Sequence, residues 1–272
     1  MLKTALNIIL LILLVSLVKL VGAQCVNGEA AFSPGETITY EVAYNWGIVW
    51  VDAGEVRFKV DTVDFRGSNT YYFESAGSSY SFYNWFFKVD DHFKSWCDLK
   101  TFQPISFQRE TSEGGYWVKN NYGFQLDGRI FSSVLHKDKP LRLDTVKAAP
   151  CTFDVLSAIY YVRNFDFGEA KEGDGFPVNF IIDGELFTLS LIYWGKEEIK
   201  NRNGKVYSCE KLSVKLVAGT IFKGDEELIV WLIDDKNRIP LMVEAKVVVG
   251  SVKAYLTGYE GLKYKMSGSV GK

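Results

Sequence analysis

The 272 residues carry a formal net charge of −2, with 31 Lys and Arg against 33 Asp and Glu. A polyanion partner needs a concentrated basic field, and these cations are scattered singly, so nucleic acid is excluded as a partner. Hydrophobic residues make up 47% of the chain and aromatic ones 15%, which suits a large core and excludes a disordered protein.

The chain opens with Lys3, an apolar run from Ile8 to Val18 broken only by Ser16, and then Val21, Gly22 and Ala23. Charge, apolar core and small residues in that order make an export signal. Residues 1–23 are therefore expected to be removed by a cut between Ala23 and Gln24, leaving an exported, periplasmic or outer-membrane-associated or extracellular protein. A spanning helix wants about 20 apolar residues. Lys19 interrupts this run too early, so no transmembrane span is expected after cleavage. Lipidation of Cys25 normally wants a small residue just before it, and Gln24 stands there. Loss of Lys3 and Lys19 takes the 31 basic residues to 29 against 33 acidic ones, a net charge of −4. No Pro-, Ser- or Gly-rich linker divides residues 24–272, which read as a single β-rich domain.

Cys25, Cys97, Cys151 and Cys209 all survive cleavage. An even count in an oxidising compartment permits two disulfides in three connectivities. The wide spacings fit no metal-binding pair. Structural bridges are the favoured reading, with buried free thiols as the alternative.

Along the mature chain the dominant period is two. Ile38, Tyr40, Val42, Tyr44 and Trp46 share one face, with Thr39 and Glu41 on the other, which is a half-buried strand. Val56, Phe58 and Val60 repeat the pattern. Strand-like runs follow at 70–75, 105–109, 116–126, 129–135, 179–182, 185–194, 212–216 and 228–234, and Leu241–Val249 continues into Val252–Leu256. Asp127-Gly128 and Asp183-Gly184 are two-residue hairpin signals, since a tight reversal needs residues tolerant of positive φ. One segment departs from this. In CTFDVLSAIYYVRNF, residues 151–165, Val155, Leu156, Ile159 and Val162 recur at helical spacing after Pro150, and Thr152 or Asp154 can satisfy the first amides. A helix is expected near 152–164. The expected fold class is all-β: a large curved antiparallel sheet, a closed or half-open barrel or roll, with one amphipathic helix packed against it.

Five stretches carry a family likeness: PGETITYEVAYNWGIVWVDAGE (Pro34–Glu55), FFKVDD (Phe86–Asp91), EGG (Glu113–Gly115), FDVLSAIYYVR (Phe153–Arg163) and WLIDDKNRIPLMVEAKVVVGSVKAYL (Trp231–Leu256). In this order, across nearly the whole mature chain, they resemble the domain of unknown function 3108 family. The resemblance implies an exported bacterial protein and leaves the activity open.

Motifs of known chemistry are missing. His92 and His136 stand outside any HExxH frame, and there is no GxSxG elbow, phosphate loop or dinucleotide fingerprint. No cofactor and no metal is expected, and no catalytic residue is assigned. Asp90-Asp91-His92 is the best polar cluster, because carboxylates beside an imidazole can share acid and base roles. Adjacent strand residues face opposite sides, so Asp90 and His92 can cooperate while Asp91 cannot; the bland reading is a solvated strand end. Glu110 and Glu113, three apart, also face opposite sides. Arg163 ends the helix, where with Asp154 or Tyr160 it could grip an anionic head group; the bland reading is a helix cap or buried ion pair. Trp85 lies in a crowd of aromatics. Ser79–Phe87 is apolar on both faces, so it is either buried on both sides or exposes a patch that wants a partner.

The leading expectation is noncatalytic: binding of a lipid or other apolar or amphipathic small molecule inside the curved sheet, or service to an envelope protein partner in assembly. The alternatives are an enzyme acting on an envelope glycan through carboxylates such as Asp90 and Glu113, and a structural or partner-binding surface protein. An apolar cavity, a polar cleft of convergent carboxylates, or a filled interior with an exposed aromatic patch would favour them in that order.

Overall fold

The computed structural model describes residues 25–26, 28–46, 49–85, 87–217, 228–246 and 250–270. The expected export signal, Phe86 and the end of the Leu241–Val249 run lie outside the described residues. In chain order the first eight strands are β1 (Thr37–Trp46), β2 (Val49–Phe65), β3 (Ser68–Ser79), β4 (Val89–Asp98), β5 (Pro104–Glu113), β6 (Tyr116–Phe124), β7 (Arg129–His136) and β8 (Arg142–Lys147). After them come β9 (Thr152–Asp154), helix α1 (Val155–Val162), β10 (Gly175–Ile182), β11 (Glu185–Lys200), β12 (Val206–Val217), β13 (Leu228–Ile233), β14 (Pro240–Lys246), β15 (Ser251–Glu260) and β16 (Ser269–Val270).

All belong to one sheet. From β1 one arm runs β2 to β8 through successive hairpins; the other starts at β15, beside β1, and returns through β14, β13, β12, β11 and β10 to β9, with β16 paired to β12. Among the described residues every pairing is antiparallel except that of β9 with β10. Alternation fixes which residues face inward: Phe58 and Val60 of β2 stand opposite Ser75 and Phe73 of β3, which stand opposite Phe93 and Ser95 of β4. The run expected to continue from Leu241 to Leu256 is instead folded back, with Met242 opposite Tyr255 and Gly250 at φ 89°. Register slips at Val42/Ala43, Trp96/Cys97 and Tyr193/Lys196 insert bulges, which bend and twist the long strands.

The sheet is not closed. Among the described residues its edges are β8 and β9: the chain leaves β9 after three residues to enter α1, and no described strand pairs β8 on its free side. Of the two expected forms, the half-open roll is the one found. Side chains span the opening instead. The β10–β11 turn has Asp183 at φ 50° and Gly184 at φ 79°, the pair of positive values its Asp-Gly sequence announces. The Asp183 carboxylate accepts from Asn120 Nδ2 at 2.8 Å and Arg109 Nη1 at 3.3 Å, its carbonyl accepts from Arg142 of β8, and the Gly184 N–H donates to Tyr122 Oη at 3.2 Å.

Helix α1 is shorter than expected. Thr152–Asp154 is extended and pairs with β10, and Asp154, at φ −78° and ψ 169°, is the N-cap. Its Oδ1 accepts from the N–H groups of Leu156 at 3.0 Å and Ser157 at 2.9 Å; its Oδ2 accepts from Ser157 Oγ at 2.8 Å and Ser95 Oγ of β4 at 2.7 Å. Leu156, Ser157, Ala158 and Tyr160 are buried. The Tyr160 ring stacks on Phe73 at 4.2 Å and meets Phe32 edge-on at 5.1 Å.

At the other end of the helix Arg163, 1% exposed, grips Glu36, also 1% exposed. Nη1 donates to Oε1 at 2.5 Å, Nη2 to Oε2 at 2.9 Å, and Nε to the Asn237 carbonyl at 3.1 Å. Burial alone would pull the guanidinium pKa down, but the Glu36 bond more than offsets it and the pKa is raised.

Cys25 and Cys151 form a disulfide with Cα atoms 5.4 Å apart. The second bridge allowed by the cysteine count is not formed: Cys97 and Cys209 are buried free thiols. They lie in separate parts of the core, Cys97 with Phe73 and Tyr160, Cys209 with Trp231 and Ile239, so neither has a partner in reach.

Arg163→Ala leaves the Glu36 carboxylate buried and unpaired, so urea unfolding should show a loss of about 3–5 kcal/mol, and the Glu36→Leu/Arg163→Met double variant should recover most of it. Alkylation in denaturant without reductant should label Cys97 and Cys209 only; labelling of Cys25 or Cys151 would contradict the bridge.

Candidate functional site

The residues singled out in the sequence fall in three separate places. Arg163, Asp154 and Tyr160 are all inside, around α1, at 1%, 0% and 1% exposure. Arg163 and Asp154 spend their hydrogen bonds on Glu36, Asn237, Ser95 and the helix amides, which is the buried ion pair and cap of the bland reading. Burial pushes the Asp154 pKa up to about 6, against the bonds from Ser157, Ser95 and Leu156 that pull it down. The Tyr160 hydroxyl is buried without a hydrogen-bond partner.

Asp90 and His92 are brought together on the outer face of β4, with His92 Nε2 3.0 Å from Asp90 Oδ1. Both line a groove of about 300 Å³ with Glu55, Arg57, Lys59 and Glu74. Both are about half exposed, with side-chain values of 56% for His92 and 48% for Asp90. The groove is therefore a solvated bed of mixed charge, and among the described residues no three His, Cys, Asp or Glu side chains are placed to hold a metal ion.

Trp85 is elsewhere again. The β3–β4 connection passes through a short 3₁₀ turn, Ser81–Tyr83, with no buried residue. It exposes Phe82 by 75%, Trp85 by 82% and Phe87 by 47%, and at the same end of the strands the β1–β2 tip exposes Val49 by 56% and Trp50 by 39%. Of the two alternatives for Ser79–Phe87, the exposed patch is the one found. The segment is anchored beneath: the Gly114 N–H donates to the Lys88 carbonyl at 2.9 Å, and Val89 N to Ser79 Oγ at 3.0 Å. The Phe87 ring lies where a Cβ on Gly114 would stand, 2.2 Å from it, so only glycine admits this contact.

Sequence reasoning missed one group. Asp91 faces inward with Phe93 and Ser95, opposite Thr111, and two residues beyond Thr111 Glu113 stands on the same face. The two carboxyls share a hydrogen bond, and the Ser112 N–H donates to Asp91 at 3.2 Å. Burial, then the Glu113 charge and that shared bond, push the Asp91 pKa up to about 7. Arg109 and Asn120 continue the inner face and tie it to Asp183. The signal was legible: the parity that separated Asp91 from Asp90 also places it on the side of Glu113, but the pairing of β4 with β5 had to be known. Asp90 and Glu113, the pair considered for glycan chemistry, lie on opposite faces. The carboxylates that do share a face are Asp91 and Glu113.

The strand order, the bulged strands and, among the described residues, one interior α-helix define the chain as a β-barrel-like protein. A family model described as a protein of unknown function (DUF3108) matches residues 39–257, and the chain belongs to that family. Among solved structures it is similar to a β-barrel-like protein of a domain of unknown function, DUF1849, from Brucella abortus, at 7% identity and a TM-score of 0.55, over 86% of this chain and all of that one. That likeness shows the fold alone. No curated protein matches the chain. Among the described residues no helix is long and apolar enough to cross a membrane.

Because the folded pKa of Asp91 lies above its ordinary value of 3.8, the folded state holds a proton that the unfolded state gives up, and stability is lost as pH rises from about 4 to 7. Thermal unfolding across that range should show the decline, to which Asp154, raised to about 6, also contributes, and Asp91→Asn should lessen it, most clearly between about pH 6 and 7.

Proposed function

We propose that the protein is a noncatalytic binding protein of the cell envelope that engages an apolar or amphipathic partner at the aromatic mouth of its half-open roll. The observation that carries this is the exposure of Phe82, Trp85 and Phe87 beside Val49 and Trp50 at one end of the strands. Large apolar side chains gathered in this way mark an interaction site in a folded protein, and aromatics suit a partner with an apolar body and a wet surface. The inside beside α1 is filled by Phe32, Phe73, Phe153 and Tyr160, all within 1% exposure, which moves binding from the interior to the rim. An envelope address is supported by the leader read in residues 1–23 and by the Cys25–Cys151 disulfide, a bond that persists in oxidising compartments.

The test is flotation of the mature protein with phosphatidylethanolamine vesicles, followed by tryptophan emission. Wild type should float and its emission shift to the blue. Each large aromatic gains about 2 kcal/mol on full burial, so Phe82→Ser/Trp85→Ser should lower partitioning at least tenfold with unfolding unchanged. Equal behaviour of the two proteins would remove the mouth from the reading.

A further inference from the structure

The second open element of the fold is the edge strand β8, and we infer that it accepts an extended, acidic segment of a partner protein as an added strand of the sheet. Among the described residues β8 pairs with β7 alone, and five of its six residues, all but Val146, are exposed. The Ala148 N–H donates to the Gly128 carbonyl at 2.9 Å, just beyond the register pair Arg129 and Lys147. An antiparallel ladder alternates bonded and unbonded pairs, so Val146, Asp144 and Arg142 bond β7 while Leu143, Thr145 and Lys147 turn their N–H and C=O groups outward. This is the row of groups that an added strand requires.

The flanking chemistry selects the occupant. Leu143, 71% exposed, and Phe131, 45% exposed, lie on the outer face of β8 and β7, bordering with Thr145 a hollow of about 590 Å³. Residues 137–147 carry four cations, Lys137, Lys139, Arg142 and Lys147, against two carboxylates, Asp138 and Asp144. Arg142 and Lys147 donate to the neutral carbonyls of Asp183 and Asp127, with no salt bridge to a carboxylate among the described residues. The complement is a strand with apolar residues over Leu143 and carboxylates near the cations. A second copy of β8 does not supply it: antiparallel pairing centred on Asp144 sets that carboxylate against itself, and pairing centred on Thr145 sets Lys147 against Leu143. One feature holds the edge in reserve, since Asp144 Oδ1 accepts from the Thr145 N–H at 2.7 Å and occupies the place of a partner carbonyl.

The mature protein is titrated with a blocked decapeptide alternating valine and glutamate, and with its valine–lysine counterpart, by calorimetry and amide hydrogen exchange. The glutamate peptide should bind about tenfold tighter than the lysine one and slow exchange at Leu143, Thr145 and Lys147. Thr145→Pro removes an outward donor without touching the β7 ladder and should weaken binding about tenfold. Asp144→Ala should strengthen binding, and Lys147→Glu, at unchanged thermal unfolding, should lessen the preference for glutamate. Absence of binding, equal binding of both peptides, protection at other strands, or a homodimer abolished by Thr145→Pro would each overturn the inference. The vesicle experiment at the aromatic mouth is independent of these outcomes.

Discussion

The buried pair of Arg163 and Glu36 is the contact on which the rest of the architecture depends. It joins three parts distant in sequence: the end of α1, the segment leading into β1, and, through Asn237, the turn between β13 and β14. Both partners are removed from water, a costly arrangement that holds only because the guanidinium is satisfied at Nε, Nη1 and Nη2 together. At the other end Asp154 caps the helix and accepts from Ser95 of β4. An eight-residue helix is too short to persist alone in water. Buried polar contacts at both ends and the Tyr160 ring on Phe73 hold it in place.

That placement decides what kind of surface the protein presents. With α1 and Phe32 inside, the concave face is occupied by aromatic packing near the helix and by the Asp91–Glu113 and Arg109–Asp183 groups nearer the mouth. The helix also ends the parallel contact of β9 after three residues, leaving β8 as an open edge. The features available to a partner are consequently peripheral: the aromatic mouth, the mixed-charge groove over β2 to β4, and the β8 edge. A roll whose opening is spanned by Arg142, Asn120 and Arg109 rather than by a strand ladder keeps its shape while leaving backbone groups exposed.

Period-two alternation gave the all-β class, most of the strands and the inward residues Ile38 and Tyr40 of β1 and Val60 of β2, because in a half-buried strand burial is written into every second residue; farther along β1 it is Ala43, of the opposite parity, that is buried. Asp127-Gly128 and Asp183-Gly184 gave turns, since positive φ is a local demand that few residues meet. Helical spacing gave α1, and the motif order gave the family. The strand carrying Asp90 and His92 was harder to see, because its outer face is polar and its inner face holds Asp91 and Ser95 among the apolar residues.

What the sequence could not decide was which of these local pieces would meet. Four cysteines admitted three pairings, and only the folded chain brings Cys25 to Cys151 while leaving Cys97 and Cys209 in separate clusters. Arg163 was legible as a helix cap or buried ion first and as a ligand contact second, and its partner Glu36, 127 residues away, could not be named from the sequence. Asp91 acquired Glu113 only through the register of β4 on β5, and Thr152 and Asp154 left the helix because β10 offered them a parallel neighbour. Side-chain periodicity is a property of one strand and is readable residue by residue. Pairing, closure and the partners of buried charges depend on contacts between segments far apart in the chain, which only the tertiary structure supplies.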